Sequence, residues 1–364
     1  MKKLLLSFVV LPGAVATAQV GINTEEPQAM LDISAKDNQK GDLRIQDVEM
    51  KEKTDWLLIW DEKDQKVKRT SLSDLKWDMI VDKVKINYIR GKHPDKADEI
   101  INKIKQCAPE NINFDKLFGI SGKHDFVYCA TTVSEDGYSR TWLNLNLGAE
   151  YANINSPDFD PTVNKTGTDA HNEAKTYGSL YQWQRASDGH EFRDSSPLFI
   201  ESPLPSWTYT VEDMEGRFLG GQSSWVDIDG DKNVSDSDLV LWQAGGRNNP
   251  CPFGFHVPTE QEWGEFHQAV TGSKFSLGNT DNSVSTNQMF TQKMLPNLAT
   301  AGYRVYRSDP TLPIIKDRGS YWSSFAENIR ASVYSMTFIS EQSSIASFSN
   351  FTAEGASVRC IKDY

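Results

Sequence analysis

The chain has 364 residues, and its 50 Asp and Glu against 38 Lys and Arg give a formal net charge of −12. This acidic excess argues against a nucleic-acid-binding protein, because phosphate groups select for Lys and Arg. Apolar residues make up 38% of the chain, which is enough for a packed core, so full disorder is excluded and the length indicates two or three domains.

The first 18 residues have the pattern of a secretory signal peptide. Lys2 and Lys3 precede an apolar run over 4–15, and the small residues at 16–18 are typical of a cleavage site. A membrane anchor would need roughly 20 apolar residues, and this run is shorter. We therefore expect residues 1–18 to be removed and the protein to be exported to the cell surface or the extracellular space, with no membrane span.

Residues 19–75 predict a small β-rich segment. Short apolar stretches at 43–45, 56–60 and 67–70 alternate with polar turns, a pattern typical of strands. A segment of this size has no evident core of its own. We expect it to pair with a neighbouring chain, as a fibre-like or assembly segment, or to pack on the rest of the protein.

Residues 76–130 predict a partly helical connector. Isoleucines at helical spacing indicate a short helix over 98–107. Eight Lys and Arg over 76–106 would suit an anionic partner, but five acidic residues are interspersed among them. This mixed pattern favours a solvated helix face.

From about residue 131 the composition changes. Seven of the ten Trp lie in 131–364, Gly and Ser are frequent, and the predicted elements are short. One helix is clearly indicated, because Thr259 and Glu262 have the spacing of a capping box and Trp263 and Phe266 follow at helical spacing.

Seven short blocks in the second half occur in the order found in one known domain family. They cover about 141–364 and lie at 142–149, 177–185, 188–190, 249–259 closed by 262–263, 301–304, 321–324 and 357–362. This ordered set resembles the Fibrobacter succinogenes major paralogous domain (FISUMP) family, which is abundant in exported proteins of Bacteroidetes-type bacteria. The stretches 20–24 and 29–33 resemble openings of Bacteroidetes surface proteins that carry fibre-like β segments.

The resemblance implies the fold class. FISUMP domains are similar to C-type-lectin-like and formylglycine-generating-enzyme-like folds, which are compact α+β domains with irregular loops. We therefore expect an α+β protein with a lectin-like domain over 131–364, preceded by the β-rich segment. Relative to the family, the stretch at about 193–248 is an expanded loop, and Gln184 stands where the family usually has Gly.

The expanded loop contains the strongest chemical signal in the sequence. Over 227–238, oxygen-bearing side chains have EF-hand spacing, closed by an Asp. Ca²⁺ needs about six to eight oxygen ligands, and five Asp so close together would repel one another without a cation. We expect one structural Ca²⁺ with the ligands Asp227, Asp229, Asp231, Asn233, Ser235 and Asp238. The alternative is an acidic surface turn, and Lys232, where Gly is common, is expected to weaken the affinity.

The four Cys residues are expected to form disulfides, because an exported protein meets an oxidising compartment. Four Cys permit three connectivities. We favour pairing of Cys107 with Cys129, because these two are close in the sequence. The resemblance implies a bridge between Cys251 and Cys360, which match the family's first shared Cys and the one in its final strand.

The family blocks contain four tryptophans that we expect to be buried: Trp142, Trp183, Trp263 and Trp322. Three others, Trp207, Trp225 and Trp242, lie in the expanded loop. Since aromatic residues are enriched at binding surfaces, one of these three is a candidate stacking platform for a ligand. Packing in the core is the alternative.

No catalytic constellation is evident in the sequence. The six His are scattered without a paired metal spacing, and neither a Gly-rich phosphate loop nor a nucleophile elbow is present. The sugar-binding triplets of calcium-dependent lectins are absent too. Formylglycine-generating enzymes use closely placed active-site cysteines, whereas Cys251 and Cys360 are better explained as a bridge.

We therefore expect a non-catalytic, adhesin-like surface protein that presents its lectin-like domain to a protein or glycan ligand. One alternative is a structural subunit of a fibre or pilus tip, assembled through the N-terminal segment. The other is an enzyme on the same fold, which rests on fold analogy alone.

Overall fold

The computed structural model describes most of the chain. The described residues are 20–22, 25–26, 31–33, 56–120, 122–135, 137–205, 213–226, 241–277, 282–307, 311–327, 332–346 and 352–364. They belong to two compact units, Met1–Thr54 and Asp55–Tyr364. In the first unit, β1 (Val20–Ile22) and β2 (Leu31–Ile33) pair in parallel. The expected signal peptide over 1–18 lies outside the described residues.

The second unit combines helices with many short strands, in agreement with an α+β class. Its helices are α1 (Leu72–Ile80), α2 (Lys83–Lys92), α3 (Ala97–Ile104), α4 (Thr168–His171), α5 (Glu260–Thr271) and α6 (Gln288–Thr291), with 3₁₀ turns at Pro109–Asn111, Glu150–Ala152 and Ala174–Thr176. Its strands are β3 (Trp56–Asp61), β4 (Lys66–Ser71), β5 (Ile112–Phe114), β6 (Val127–Glu135), β7 (Tyr138–Leu143), β8 (Tyr181–Gln182), β9 (Pro197–Phe199), β10 (Phe218–Gly220), β11 (Phe255–His256), β12 (Tyr303–Arg304), β13 (Ile314–Ile315), β14 (Gly319–Glu327), β15 (Ser332–Phe338), β16 (Ser343–Ala346), β17 (Gly355–Ala356) and β18 (Ile361–Lys362). In the described part of the chain, no helix is long and apolar enough to cross a membrane.

The N-terminal part of this unit is a hairpin followed by three helices. β3 and β4 pair in an antiparallel hairpin where the alternation predicts strands. Ser71 ends β4 and caps α1, because its hydroxyl accepts a hydrogen bond from the Asp74 backbone N–H at 2.9 Å. α3 is the helix predicted over 98–107, and its isoleucines are buried against α2 and β5.

The family region, at about 141–364, shares with β5 and β6 a five-stranded antiparallel sheet in the order β11-β18-β7-β6-β5. The last strand of the chain lies inside it, because Ile361 pairs with Trp142 of β7 and with His256 of β11. Two smaller antiparallel sheets, β13-β12-β17-β8 and β14-β15-β16, complete the domain. The end of the chain therefore closes the domain.

Two buried clusters form most of the interior of the family region. The larger one contains Trp183 and Trp322, and the other packs Trp142 of β7 against Trp263 of α5, with ring centroids 5.0 Å apart. The four tryptophans of the family blocks are at most 1% exposed, which confirms the expectation that they are buried. α5 begins with the predicted capping box, since Thr259 and Glu262 bond each other's backbone N–H.

The expanded loop at about 193–248 carries regular structure in its described part. β9 and β10 form a parallel pair within it, and Leu204 forms a bridge with Val226. Leu219 of β10 and Trp225 are buried in the larger cluster. The loop is thus partly folded onto the domain.

Candidate functional site

All six expected calcium ligands, and Trp207, lie outside the described residues. The chain on either side is buried, with Val226 4% and Leu241 8% exposed. Both residues belong to the larger core cluster. The segment between them is therefore attached to the core at both ends, and cation binding by it stays a prediction.

Trp225 and Trp242 lie in the core and not at a binding surface. Trp225 is 2% exposed, and its Nε1 donates a hydrogen bond to the Trp183 carbonyl at 2.9 Å. Trp242 is 0% exposed, and its ring centroid lies 6.3 Å from that of Trp183. A stacking platform needs an exposed ring face, so the platform expected in this loop is not formed by these two residues.

All four cysteines are joined in disulfides, Cys107–Cys129 and Cys251–Cys360. These are the two expected pairs. Cys107 follows α3 and Cys129 lies in β6, so the first bridge connects the helices to the central sheet. The second bridge connects the block before β11 to the end of the chain.

A group of buried ionisable side chains lies where β8 leads into the expanded loop. We call it the acid–imidazole cluster, and its members are Asp115, His124, Arg185, Asp188, His190 and Glu191. The side chain of Asp188 is 18% exposed, and the other five residues are at most 6% exposed. Sequence reasoning assigned these residues no joint role. The closeness of Asp188, His190 and Glu191 in the sequence is the one signal that could have indicated part of it.

A tight turn positions Asp188 and His190. Gly189 has a φ of +104°, and Asp188 Oδ1 accepts hydrogen bonds from the His190 backbone N–H at 2.9 Å and from Nδ1 at 2.7 Å. His190 Nε2 lies 3.1 Å from the Gln182 backbone N–H, which can only donate. The proton of the neutral ring is therefore on Nδ1, facing Asp188.

Glu191 connects this turn to the segment before β6. Its Oε2 accepts a hydrogen bond from the Gly189 N–H at 3.0 Å, and its Oε1 lies 3.2 Å from His124 Nε2. His124 Nδ1 lies 3.8 Å from Asp115 Oδ1. Carboxyl and imidazole groups therefore alternate through the cluster.

Burial dominates the ionisation of the cluster. It raises the pKa of Asp115 to about 7 and that of Glu191 to about 8, and it lowers the pKa of His124 and His190 to about 4.

Asp188 behaves differently, because its neighbours outweigh its burial. Burial would raise its pKa, but His190 and Arg185 hold the pKa well below the usual value. Arg185 Nη2 donates a hydrogen bond to Asp188 Oδ2 at 2.6 Å. The pair of Asp188 and Arg185 therefore stays ionised at neutral pH.

The turn also brings three groups of metal-ligand type together, since ligand atoms of Asp188, His190 and Glu191 lie within 4.8 Å of one another. A metal on His190 Nδ1 would have to displace the proton there. Nε2 cannot take that proton while the Gln182 N–H donates to it. The arrangement therefore fits a hydrogen-bonded network better than a metal centre, and its chemistry is the uptake and release of protons.

Another buried imidazole, that of His256 in β11, contacts the first turn of α5. His256 Nδ1 is 2.6 Å from Asp363 Oδ1, and its Nε2 is 2.9 Å from Glu262 Oε2. Burial would lower the pKa of His256, but the two carboxylates raise it above its ordinary value. These contacts hold the end of the chain against the capping box.

An open cleft lies between the connector helices and the block that contains Cys251. It has a volume of about 170 Å³, and its walls come from the junction of α1 and α2, from β5 with the 3₁₀ turn before it, and from Pro252 and Phe253. Phe253 is 78% exposed and Ile80 is 53% exposed. Lys85 of α2 and Phe114 of β5 meet in the cleft, where Lys85 Nζ lies 4.9 Å from the Phe114 ring centroid.

The block around Cys251 holds the Phe253 ring at the surface. Asn249 accepts a hydrogen bond from the Cys251 N–H at 3.1 Å, and it donates one to the Phe255 carbonyl at 2.8 Å. Gly254 follows with a φ of +79°, in the left-handed region that suits glycine. This bonded turn directs Phe253 outward, which the sequence blocks did not indicate.

The sheet closed by its own last strand and the bridge to Cys360 define one α+β domain, and its sequence matches a known domain family. Residues 139–362 match the Fibrobacter succinogenes major domain. The match covers more than half of the chain, so the chain belongs to this family. It agrees with the range of about 141–364 indicated by the ordered blocks. No curated protein and no solved structure matches the chain.

Proposed function

We propose that this chain is an exported, non-catalytic surface protein of the adhesin type, in which a lectin-like domain binds a protein ligand. The observation that carries the proposal is the open cleft whose rim exposes Phe253 and Ile80. Single apolar side chains on a surface are common. Two large ones beside the same concave surface favour an interaction site.

The cleft suits a protein better than a small molecule or a glycan. Its volume of about 170 Å³ is below the roughly 300–1,000 Å³ of small-molecule pockets. Its polar side chains are Asp82, Lys85 and Asn113, and the rest of its lining is apolar. Interface cores between proteins are enriched in aromatic residues, and a partner side chain seated on Phe253 would bury the exposed ring.

A binding screen tests this proposal, with the chain lacking residues 1–18 immobilised against a panel of extracellular proteins and a glycan array. We expect protein ligands whose affinity falls about tenfold or more in Phe253→Ser and in Ile80→Ser. Leu277→Ser is the matched control, because Leu277 is 61% exposed and does not line the cleft. Glycan binding alone, or binding that the two cleft variants retain, would contradict the proposal.

The disulfides support a role without catalysis. The enzyme alternative requires reactive thiols, and in this domain Cys251 and Cys360 are bonded to each other. Turnover that Cys251→Ala abolishes without loss of folding would favour the enzyme instead.

The proposal also includes export of the protein and the binding of one Ca²⁺. The pattern over 1–18 and the two disulfides support export. The spacing over 227–238 supports one Ca²⁺ that orders the expanded loop. Fractionation of the producing cells tests the first point, since the protein should be recovered at the surface or in the medium.

A structural subunit of a fibre or pilus tip is the second candidate function. The observation that favours it is the β3–β4 hairpin, which exposes several large apolar side chains. Co-purification of the chain with a surface assembly would support this function over ligand binding.

A further inference from the structure

We propose that two copies of this chain associate through the outer edge of β3. Within the described residues, β3 pairs only with β4. Its other edge therefore presents backbone N–H and C=O groups that a further strand can bond. This association concerns assembly and is independent of the ligand proposed for the cleft.

β3 exposes an apolar stripe that an additional strand would extend, and Arg69 of β4 lies beside it, opposite Leu58 and over the Trp56 ring. Trp56, Leu58 and Trp60 are 51%, 75% and 60% exposed, and they share one face because side chains alternate along a strand. Val67 of β4, opposite Trp60, is 59% exposed. A two-stranded hairpin is marginally stable in water by itself, and added strands stabilise it.

Charge distinguishes the two edges of the hairpin. β3 contains no Lys or Arg, and its one charged residue, Asp61, is at its end. β4 contains Lys66, Lys68 and Arg69. Asp61 and Asp64 compensate Lys68, but two β4 edges brought together would still place cations opposite cations, which is destabilising. Edge lysines are also a common block to strand pairing.

Symmetry argues against pairing of β3 with β4 of another copy. Such a contact would repeat without closing, whereas most oligomers of identical chains are closed and two-fold symmetric. A β3–β3 contact closes with two copies.

Two-fold symmetry then favours one register. An antiparallel pair centred on Leu58 sets Leu58 opposite its own copy and Trp56 of one chain opposite Trp60 of the other. Every direct β3–β3 pair on the exposed face is then apolar, and aromatic cross-strand pairs are among the favourable ones. The result is a four-stranded sheet whose two central strands expose an apolar stripe, with Arg69 of each β4 beside it, opposite Leu58.

Cross-linking tests this register. Opposite side chains in an antiparallel pair have Cβ atoms about 4.5–5.5 Å apart, so Leu58→Cys should give a disulfide-linked dimer on oxidation, seen as a reducible doubling of mass. Val67→Cys is the control, because position 67 lies on β4, away from the symmetry axis, and should stay uncross-linked. Equal cross-linking of both variants would overturn the register and the edge contact.

Analytical ultracentrifugation of the chain lacking residues 1–18 tests the association itself. We expect a dimer whose mass falls twofold in Leu58→Lys and is unchanged in Val67→Lys, with circular dichroism showing that both variants are folded. A monomeric wild type, or a dimer that Leu58→Lys retains, would overturn the proposal. So would equal disruption by Val67→Lys, since that result would indicate stacking of faces.

Discussion

At the scale of single residues, Glu191 is expected to make stability depend on pH between about pH 4 and 8. Burial raises its pKa to about 8 and that of Asp115 to about 7, whereas carboxyl groups in unfolded chains have pKa values of about 4. Between these values the folded state binds more protons than the unfolded state, so stability falls as pH rises. His124 and His190, with pKa values of about 4, act in the opposite direction, but only below about pH 6.5.

The change Glu191→Gln should therefore flatten the loss of stability between pH 6.5 and 8. Removal of the Glu191 carboxyl should reduce the slope of the unfolding free energy against pH by up to about 1 kcal/mol per pH unit. The reason is that this carboxyl no longer releases a proton on unfolding. Urea unfolding at several pH values measures this slope. Glu215→Gln, at an exposed position, is the matched control and should keep the wild-type slope, and equal slopes in wild type and Glu191→Gln would contradict the prediction.

Gln184 combines two unfavourable features at one position. Its φ is +63°, in the left-handed region that favours glycine, and its fully buried side-chain amide has no hydrogen-bond partner among the described residues. We expect Gln184→Gly to be more stable than Gln184→Ala by about 1 kcal/mol, because both remove the amide but only Gly adopts this φ without strain. Thermal unfolding of the two variants, compared under identical conditions, measures the difference, and an Ala variant as stable as the Gly variant would contradict it.

The sequence could predict the burial of some residues but not the contacts that form the acid–imidazole cluster. Trp142 and Trp183 were predictable as buried because they lie in family blocks. The contact of His124 with Glu191 was not, since the two are far apart in the sequence and only the fold brings them together. Burial, which decides their pKa values, is likewise a property of the folded domain.

At the scale of elements, the expanded loop should respond to calcium. Its acid-rich part is attached to the core through Val226 and Leu241, so ordering it should stabilise the domain. A cation that binds only the folded state adds about 2.7 kcal/mol when present at 100 times its Kd. We therefore expect a chelator to lower the melting temperature, measured by calorimetry.

The variant Asp227→Ala should abolish this calcium dependence. Asp213→Ala removes an exposed acid outside the spaced set, so it should melt like wild type with and without calcium. A melting temperature that calcium and chelator leave unchanged in the wild type would refute the site.

Elements with a local signal were the predictable ones. α5 was marked by its capping box and α3 by its isoleucines, and both formed where expected. β9 and β10 were not predicted, because three-residue strands are too short to show a periodic pattern. Their parallel pairing depends on contacts with the core that the local sequence does not encode.

At the scale of the whole molecule, the closure of the domain by β18 was predictable from the sequence only in part. The family blocks indicated that the final strand belongs to the domain and that Cys360 pairs with Cys251. The place of β18 between β7 and β11 was not predictable, since a two-residue strand has no register signal of its own. Its position depends on buried neighbours and on the contacts of Asp363 with His256.

Closure by the terminal bridge leads to a prediction about the two disulfides. Cys251–Cys360 spans 109 residues and Cys107–Cys129 spans 22, which by loop-closure entropy correspond to about 5 and about 3 kcal/mol. The double variant Cys251→Ala, Cys360→Ala should therefore lose more unfolding free energy in guanidinium titrations than Cys107→Ala, Cys129→Ala. All four cysteines are buried, and Cys251 and Cys360 also belong to the larger core cluster, so lost packing adds to the larger loss expected for that pair. Equal losses, or a larger loss for the local pair, would mean that the bridges act mainly through contacts in the folded state.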